Sequence, residues 1–458
     1  MRFQSQIIRQ FIIYLLVPGL FACKKFVQVE APANIIESSQ VFSSDKTAIA
    51  SVLGLYIQMR NQSLSMVNGG LSVYGGLSSD EIVNTSSSST ADPFSKNSLL
   101  PTNSTITSNF WSSAYRNIYQ CNAILEGLGQ SSSLTDSVKK QLTGEVKMIR
   151  AFCYFYLIQL FGDVPLVLST DYKINTLLGR TSATDIAGQI VNDLQEAKNL
   201  LPVSYSAASK SRVNKWAVSA LLIRVYLFQK NWTAAEAEAS NLITSGAYSL
   251  TSNLNNVFLS SSSETIWQIV RDAANTSEGA AFIPSSSSAK PSYMLTANLL
   301  NAFEPADQRK TSWTKSNTIG TQTYYYPYKY KVRLSSPVSE YEVVFRLSEV
   351  FLARAEARAQ QNDLAGAGQD LNTIRIRAGL SPLNLTDKTV LLNAIYHERQ
   401  VELFCEWGHR WLDLKRWGLA DGVFLPLKGQ NWQSTDVLYP IPQTEIDRNP
   451  SLKQNDGY

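Results

Sequence analysis

The sequence predicts a mainly α-helical protein, a scaffold of helix-turn-helix hairpins that carries loop-rich, partly β excursions. Three observations predict it. Apolar residues recur at helical spacing over long stretches, the stripe stops and restarts across short polar turns, and two serine-rich regions lack any helical period.

The chain opens on a sparse basic start, Arg2 and Arg9, followed by Phe11-Ile12-Ile13-Tyr14-Leu15-Leu16-Val17, a Pro18-Gly19 break and Ala22-Cys23. The apolar run is shorter than the ~20 residues a bilayer core needs and has the three-part layout of a secretory signal. Its Ala-Cys ending resembles a bacterial lipoprotein signal, which is cut just before an acylated cysteine. Residues 1–22 are therefore expected to be removed, and the mature chain to be held at a membrane by lipid on Cys23. No later segment reaches transmembrane length.

Residues 63–108 form the first loop-rich region and include Ser86-Ser87-Ser88-Ser89-Thr90. Helical stretches follow at 144–161 and 183–201. Ala217, Leu221, Val225 and Phe228 then make one apolar stripe, and after Gln229-Lys230-Asn231-Trp232 a second stripe, Ala235, Ala239, Leu242 and Ile243, repeats it. A similar hairpin uses Val343, Leu347, Val350 and Phe351, a turn at Gln361-Asn362-Asp363, then Leu364, Ala367, Leu371 and Ile374. Each first helix holds an arginine, Arg224 or Arg354, and each second helix is rich in alanine. That is the layout of tetratricopeptide repeats, in which small residues let paired helices approach closely. Between the hairpins lie serine runs at 260–263 and 285–288, the strand candidate Thr265-Ile266-Trp267-Gln268-Ile269-Val270, and the aromatic cluster Tyr324-Tyr325-Tyr326-Pro327-Tyr328. Long excursions from a rigid frame are where binding surfaces are usually built.

Charge and chemistry narrow the function. Loss of Arg2 and Arg9 from 41 Lys+Arg leaves 39 against 37 Asp+Glu, so no field draws in nucleic acid. Cys121, Cys153 and Cys405 sit far apart among apolar neighbours without CxxC spacing, which reads as buried small hydrophobes. His397-Glu398-Arg399-Gln400-Val401 begins like a zinc motif but has Val401 where the second ligand must stand. No metal or cofactor is expected. Glu398, Glu402 and Glu406 recur at helical spacing and carry the residue type a glycosidase uses. With Arg399, Arg410, Lys415 and Arg416 close by, ion pairing between helices is the expected role, and catalysis is not. Asp163 reads as a turn residue before Pro165.

The stretch from His397 to Arg416, with Glu406-Trp407-Gly408-His409-Arg410-Trp411-Leu412-Asp413-Leu414-Lys415-Arg416 at its end, resembles the C-terminal signature of the SusD/RagB family of outer-membrane lipoproteins. Trp111-Ser112-Ser113-Ala114-Tyr115, Arg150-Ala151-Phe152-Cys153-Tyr154-Phe155, Phe161-Gly162-Asp163-Val164-Pro165, Arg377-Ala378-Gly379-Leu380 and Pro440-Ile441-Pro442 match it in order. The resemblance covers the mature chain. It implies residence on the outer membrane, facing outward, binding of an oligo- or polysaccharide, and partnership with a SusC-like TonB-dependent transporter in nutrient uptake. Lys24-Lys25 departs from the acidic residues that often follow the acylated cysteine of surface-exported lipoproteins. A peptide-binding, RagB-like role is the alternative, and a glycan-acting enzyme a further one. The mature chain divides into an N-terminal helical region (23–250), a loop-rich binding region (251–340) and a C-terminal region (341–458).

A sugar offers C–H faces to aromatic rings and hydroxyls to polar side chains. Candidates for such a platform are Tyr74, Asp80 and Glu81 in the first loop-rich region and Trp313, Tyr324, Tyr325 and Tyr326 in the second. Packing competes for each of these aromatics, because large rings fill cores. Trp111, Trp407 and Trp411, inside helical signatures, are expected in the core.

Overall fold

The computed structural model describes residues 38–86, 90–271, 274–334 and 336–458. The leader, Cys23 and Lys24-Lys25 lie outside the described residues, as do Ser87, Ser88 and Ser89 of the first serine run. Ten helices build the scaffold: α1 (Asp45–Asn61), α2 (Ser112–Gln130), α3 (Asp136–Phe161), α4 (Ala183–Leu200), α5 (Lys215–Phe228), α6 (Trp232–Thr244), α7 (Leu347–Gln360), α8 (Leu364–Arg377), α9 (Lys388–Leu403) and α10 (His409–Arg416). Among the described residues, short helices and six short strands fill the connections.

The spine is α3. From Met148 to Phe161 nearly every side chain is buried, so this half-helix is apolar all round and is enclosed by neighbours on every side. It packs on α2 and α4, and α4 leads on to α5. Polar caps set the starts: Asn214 accepts from the Ala217 N–H (3.0 Å) at α5, and Asp363 from the Gly366 N–H (3.0 Å) at α8.

Both expected hairpins form, α5 with α6 and α7 with α8, except that Val343 stands in an extended strand before α7 and not on the helix; α6 packs on α7 so that the two repeats stack. Fully buried Ala235 and Ala239 let α6 lie close. The two similarly placed arginines hold different things. Arg224 reaches across to Glu349 on α7 (2.7 Å), while Arg354 grips Asp370 within its own hairpin (2.7 and 2.8 Å). A satellite core of Leu352, Ala355, Ala359, Ala367, Leu371, Ile374, Leu391 and Ile395 fills the space between α7, α8 and α9.

The strands are β1 (Ile82–Asn84), β2 (Thr265–Ile269), β3 (Tyr293–Leu295), β4 (Thr314–Ile319), β5 (Gln322–Pro327) and β6 (Glu342–Arg346). They pair antiparallel as β1 with β3, β2 with β6, and β4 with β5. The β2–β6 pair joins the two ends of the second excursion at its base. Cys121, Cys153 and Cys405 are buried free thiols. No described helix is long and apolar enough to cross a membrane.

Candidate ligand-binding face

The two loop-rich regions meet through β1 and β3, with Ile82 opposite Leu295 and Asn84 opposite Tyr293. Beyond this pairing the Thr85 N–H donates to the Ser292 carbonyl (2.9 Å), and Lys290 Nζ donates to the Thr85 carbonyl (3.1 Å). The β4–β5 hairpin packs on β3 and turns tightly at Gly320-Thr321, where Gly320 has φ +61°.

Alternation along β5 separates the three tyrosines. Tyr324 and Tyr326 share one face with Lys315 and Asn317; Tyr325 shares the other with Ser316, Thr318 and Thr323. Tyr325 is 40% exposed, Tyr324 is half-buried with Lys290 Nζ 5.1 Å from its ring centre, and Tyr326 is buried. Asn317 donates to the carbonyls of Ser286 (2.9 Å) and Ala289 (2.7 Å), fastening the hairpin to the serine-rich loop.

The expectation of an open platform does not hold for Trp313, Tyr326 and Tyr74, which lie in the interior. Trp313 is fully buried, donates from its indole to the Leu254 carbonyl (2.9 Å), and packs edge-on to Phe258. Tyr74 stacks among Phe94 (4.7 Å) and Phe110 (5.6 Å). Burying such rings removes far more apolar area than a hairpin tip can offer. Asp80 and Glu81 are buried too and act beneath the surface. Asp80 takes a two-pronged pair from Arg410 (2.7 and 2.9 Å) and accepts from Asn298 (2.5 Å). Glu81 accepts from the Cys405 N–H (3.1 Å), and burial pushes its carboxyl up to about 8. These two residues fix the root of β1 and do not face solvent.

Beneath the hairpin lies a buried ionic cluster. Arg346 contacts Glu402 (2.6 Å), Glu406 (2.7 Å) and Glu264 (3.0 Å); Arg309 contacts Glu398 (2.6 Å), Asp307 (2.8 Å) and Glu402 (2.9 Å). Arg377 pairs with both Glu264 and Glu402, and Lys329 with Glu406. Although burial raises its pKa, Arg377, Arg346 and Arg309 together hold the Glu402 carboxyl well below the ordinary range. The ion-pair role expected for the glutamates is present, with different partners. Arg399 and Arg416 bind Asp413, Arg410 binds Asp80, and Lys415 donates to the Gln159 carbonyl. Glu406 also lies beyond the end of α9 at Leu403, so the helical spacing carries only Glu398 and Glu402. Both are fully buried, which closes off the glycosidase reading of this pair.

Residues 35–227 match the family described as "Starch-binding associating with outer membrane", and residues 307–436 match the one described as "SusD family". The chain belongs to the SusD/RagB family. Among SusD/RagB relatives, "SusD-like protein P25" of Formosa agariphila is 26% identical across 100% of this chain and 99% of its own. A SusD superfamily structure from Bacteroides vulgatus superposes with a TM-score of 0.80 at 22% identity, covering 90% of this chain and 99% of that one. A "Laminarin binding SusD-like protein" gives 0.77 at 25% identity over 91% and 100%.

Within this SusD/RagB fold, Lys290 and Lys315 lie beside Tyr324 and Tyr328 without having been singled out in the sequence, and buried Asn317 braces the hairpin. For Lys315 and Asn317 the signal was the two-residue period around Gly320, which sorts the strand positions into two faces once the turn is located; Lys290 lies outside that hairpin and had no such signal.

Proposed function

We propose that the protein is an outer-membrane lipoprotein, anchored through Cys23, that captures a glycan on the β4–β5 face and passes it to a SusC-like TonB-dependent transporter. The observation that carries this is a hairpin, at the point where both loop-rich regions converge, that shows exposed Tyr325 on one side and half-buried Tyr324 on the other. The laminarin-binding relative and the starch-binding family description support the ligand class.

Stacking on Tyr325 contributes on the order of 1 kcal/mol, so Tyr325→Ala should weaken binding roughly fivefold. Titration of the purified chain with glycan and peptide panels tests this, with thermal melting as the control for folding. Peptide binding without glycan binding would select the RagB-like alternative. Release of reducing ends from a bound glycan would revive an enzyme reading. For the partnership, pull-down from native membranes of polysaccharide-grown cells should recover a TonB-dependent transporter. Its absence under every growth condition would sink that half of the proposal.

A further inference from the structure

We infer that the glycan taken by this face is anionic, bearing carboxylate or sulfate groups; this rests on the hairpin being the glycan-binding face. Residues 284–339 contain Lys290, Arg309, Lys310, Lys315, Lys329, Lys331 and Arg333 against only Glu304 and Asp307. That excess of five exceeds the +4 of the entire chain, so the rest is balanced and the charge is local.

The buried pairs account for only part of it. Arg309 and Lys329 are committed to the ionic cluster, Asp307 to Arg309, and Glu304 to Arg375 (2.5 Å). Lys290, Lys310, Lys315, Lys331 and Arg333 have no carboxylate in ion-pair contact among the described residues. Three of them lie beside Tyr324 and Tyr328, and Lys315 is on the Tyr324 face of the hairpin, away from Tyr325. Lys290 Nζ lies 5.1 Å from the Tyr324 ring centre, and Lys315 and Lys331 lie 4.7 and 4.4 Å from that of Tyr328. Burial pulls the Lys331 ammonium down to about 8; Glu340 opposes this, and Lys315 adds a smaller push in the same direction as burial. A neutral sugar would stack here and leave Lys290 and Lys331 with neutral carbonyl partners alone, Thr85 for the first and Ser312 and Tyr328 for the second, and Lys315 with the Tyr328 ring. A carboxylate or sulfate on the same sugar would pair with them and relieve their mutual repulsion.

The test is calorimetric titration of the purified mature chain with laminarin, starch and galactan as neutral probes, polygalacturonate and alginate as carboxylated ones, and carrageenan as a sulfated one. The tightest ligand is expected among the last three, the carboxylated and sulfated arms telling which group is preferred. Its affinity should fall about tenfold or more between about 50 and about 300 mM NaCl. In K290Q/K315Q, binding should weaken roughly fivefold with the melting temperature unchanged. A neutral best ligand whose affinity ignores both salt and the lysine variants, yet drops in Tyr325→Ala, overturns the anionic preference and leaves the glycan face standing. A folded protein that binds none of the six overturns both.

Discussion

Arg346 is buried against three carboxylates, Glu264, Glu402 and Glu406. Removing it leaves them with Arg377, Arg309 and Lys329 alone, one cation short in a medium that screens charge poorly, so Arg346→Met should lower stability by about 3–5 kcal/mol in urea unfolding. Arg346→Lys should recover little, because an ammonium cannot reproduce the forked contacts. A loss below about 1 kcal/mol in Arg346→Met would contradict the cluster's role. The carboxyls of Glu278 and Glu342 are buried, and among the described residues no cation is in ion-pair contact with either. Ser72 Oγ donates to Glu278 (3.2 Å), and the Gly69 N–H donates to Glu342 (2.7 Å). Burial pushes Glu278 up to about 7; burial and then the Glu278 charge raise Glu342 well above the ordinary carboxylate range. An acid whose pKa rises on folding favours the folded state below its unfolded pKa and loses that advantage as pH climbs through the folded value. Stability should therefore decline from about pH 4.5 to beyond 7, and Glu278→Gln should flatten the decline by on the order of 2 kcal/mol. Melting curves across that range decide it; identical slopes in both proteins would remove the pair as the cause.

At the scale of elements, two glycines in the scaffold make opposite predictions. A Cβ on Gly75 would lie 2.7 Å from the Gly408 Cα, where the chain turns with φ +67° between α9 and α10. Backbone cannot yield there, so Gly75→Ala should destabilise by ~2 kcal/mol or more. Gly129 on α2 has nothing within 4 Å, and Gly129→Ala should be neutral or stabilise by roughly 0.5 kcal/mol. Denaturant midpoints for the two variants check the pair, and equal shifts would contradict the contact. In the satellite core, Leu371→Ala should cost about 2–4 kcal/mol, measured the same way. The helical hairpins were legible because a 3.6-residue stripe is local: Ala235, Ala239 and Leu242 mark the buried side of α6, whereas α5 is buried on all sides from Ala217 to Leu227 and its pattern marks the helix but not a face. The pairings of β1 with β3 and β2 with β6 were not. Each joins residues dozens or hundreds of positions apart, and a three-residue strand such as Ile82–Asn84 is too short to show alternation.

Across the whole molecule, α7 contributes to both the main core and the satellite core, through Val350 and Ala353 on one side and Leu352 and Ala355 on the other. The scaffold is therefore expected to unfold in one calorimetric transition; a separate early transition for α8 and α9 would show that the two cores are independent. The tyrosine cluster at 324–328 was visible in the sequence, but which ring faces out depends on strand phase, and the fates of Trp313 and Tyr74 depend on partners from other elements. The glutamates of α9 were recognised as ion-pair formers, whereas Arg309 and Arg346 reach them from far along the chain, beyond any local pattern. The β4–β5 hairpin is held at both roots. Arg309 and Trp313 are fully buried just before it, and Lys329 is tied to Glu406 just after it. Its backbone freedom is thus surrendered during folding, before any ligand arrives. Binding at this face should then carry a small ordering entropy, with affinity set by contact and desolvation instead of by the cost of arranging a loose loop.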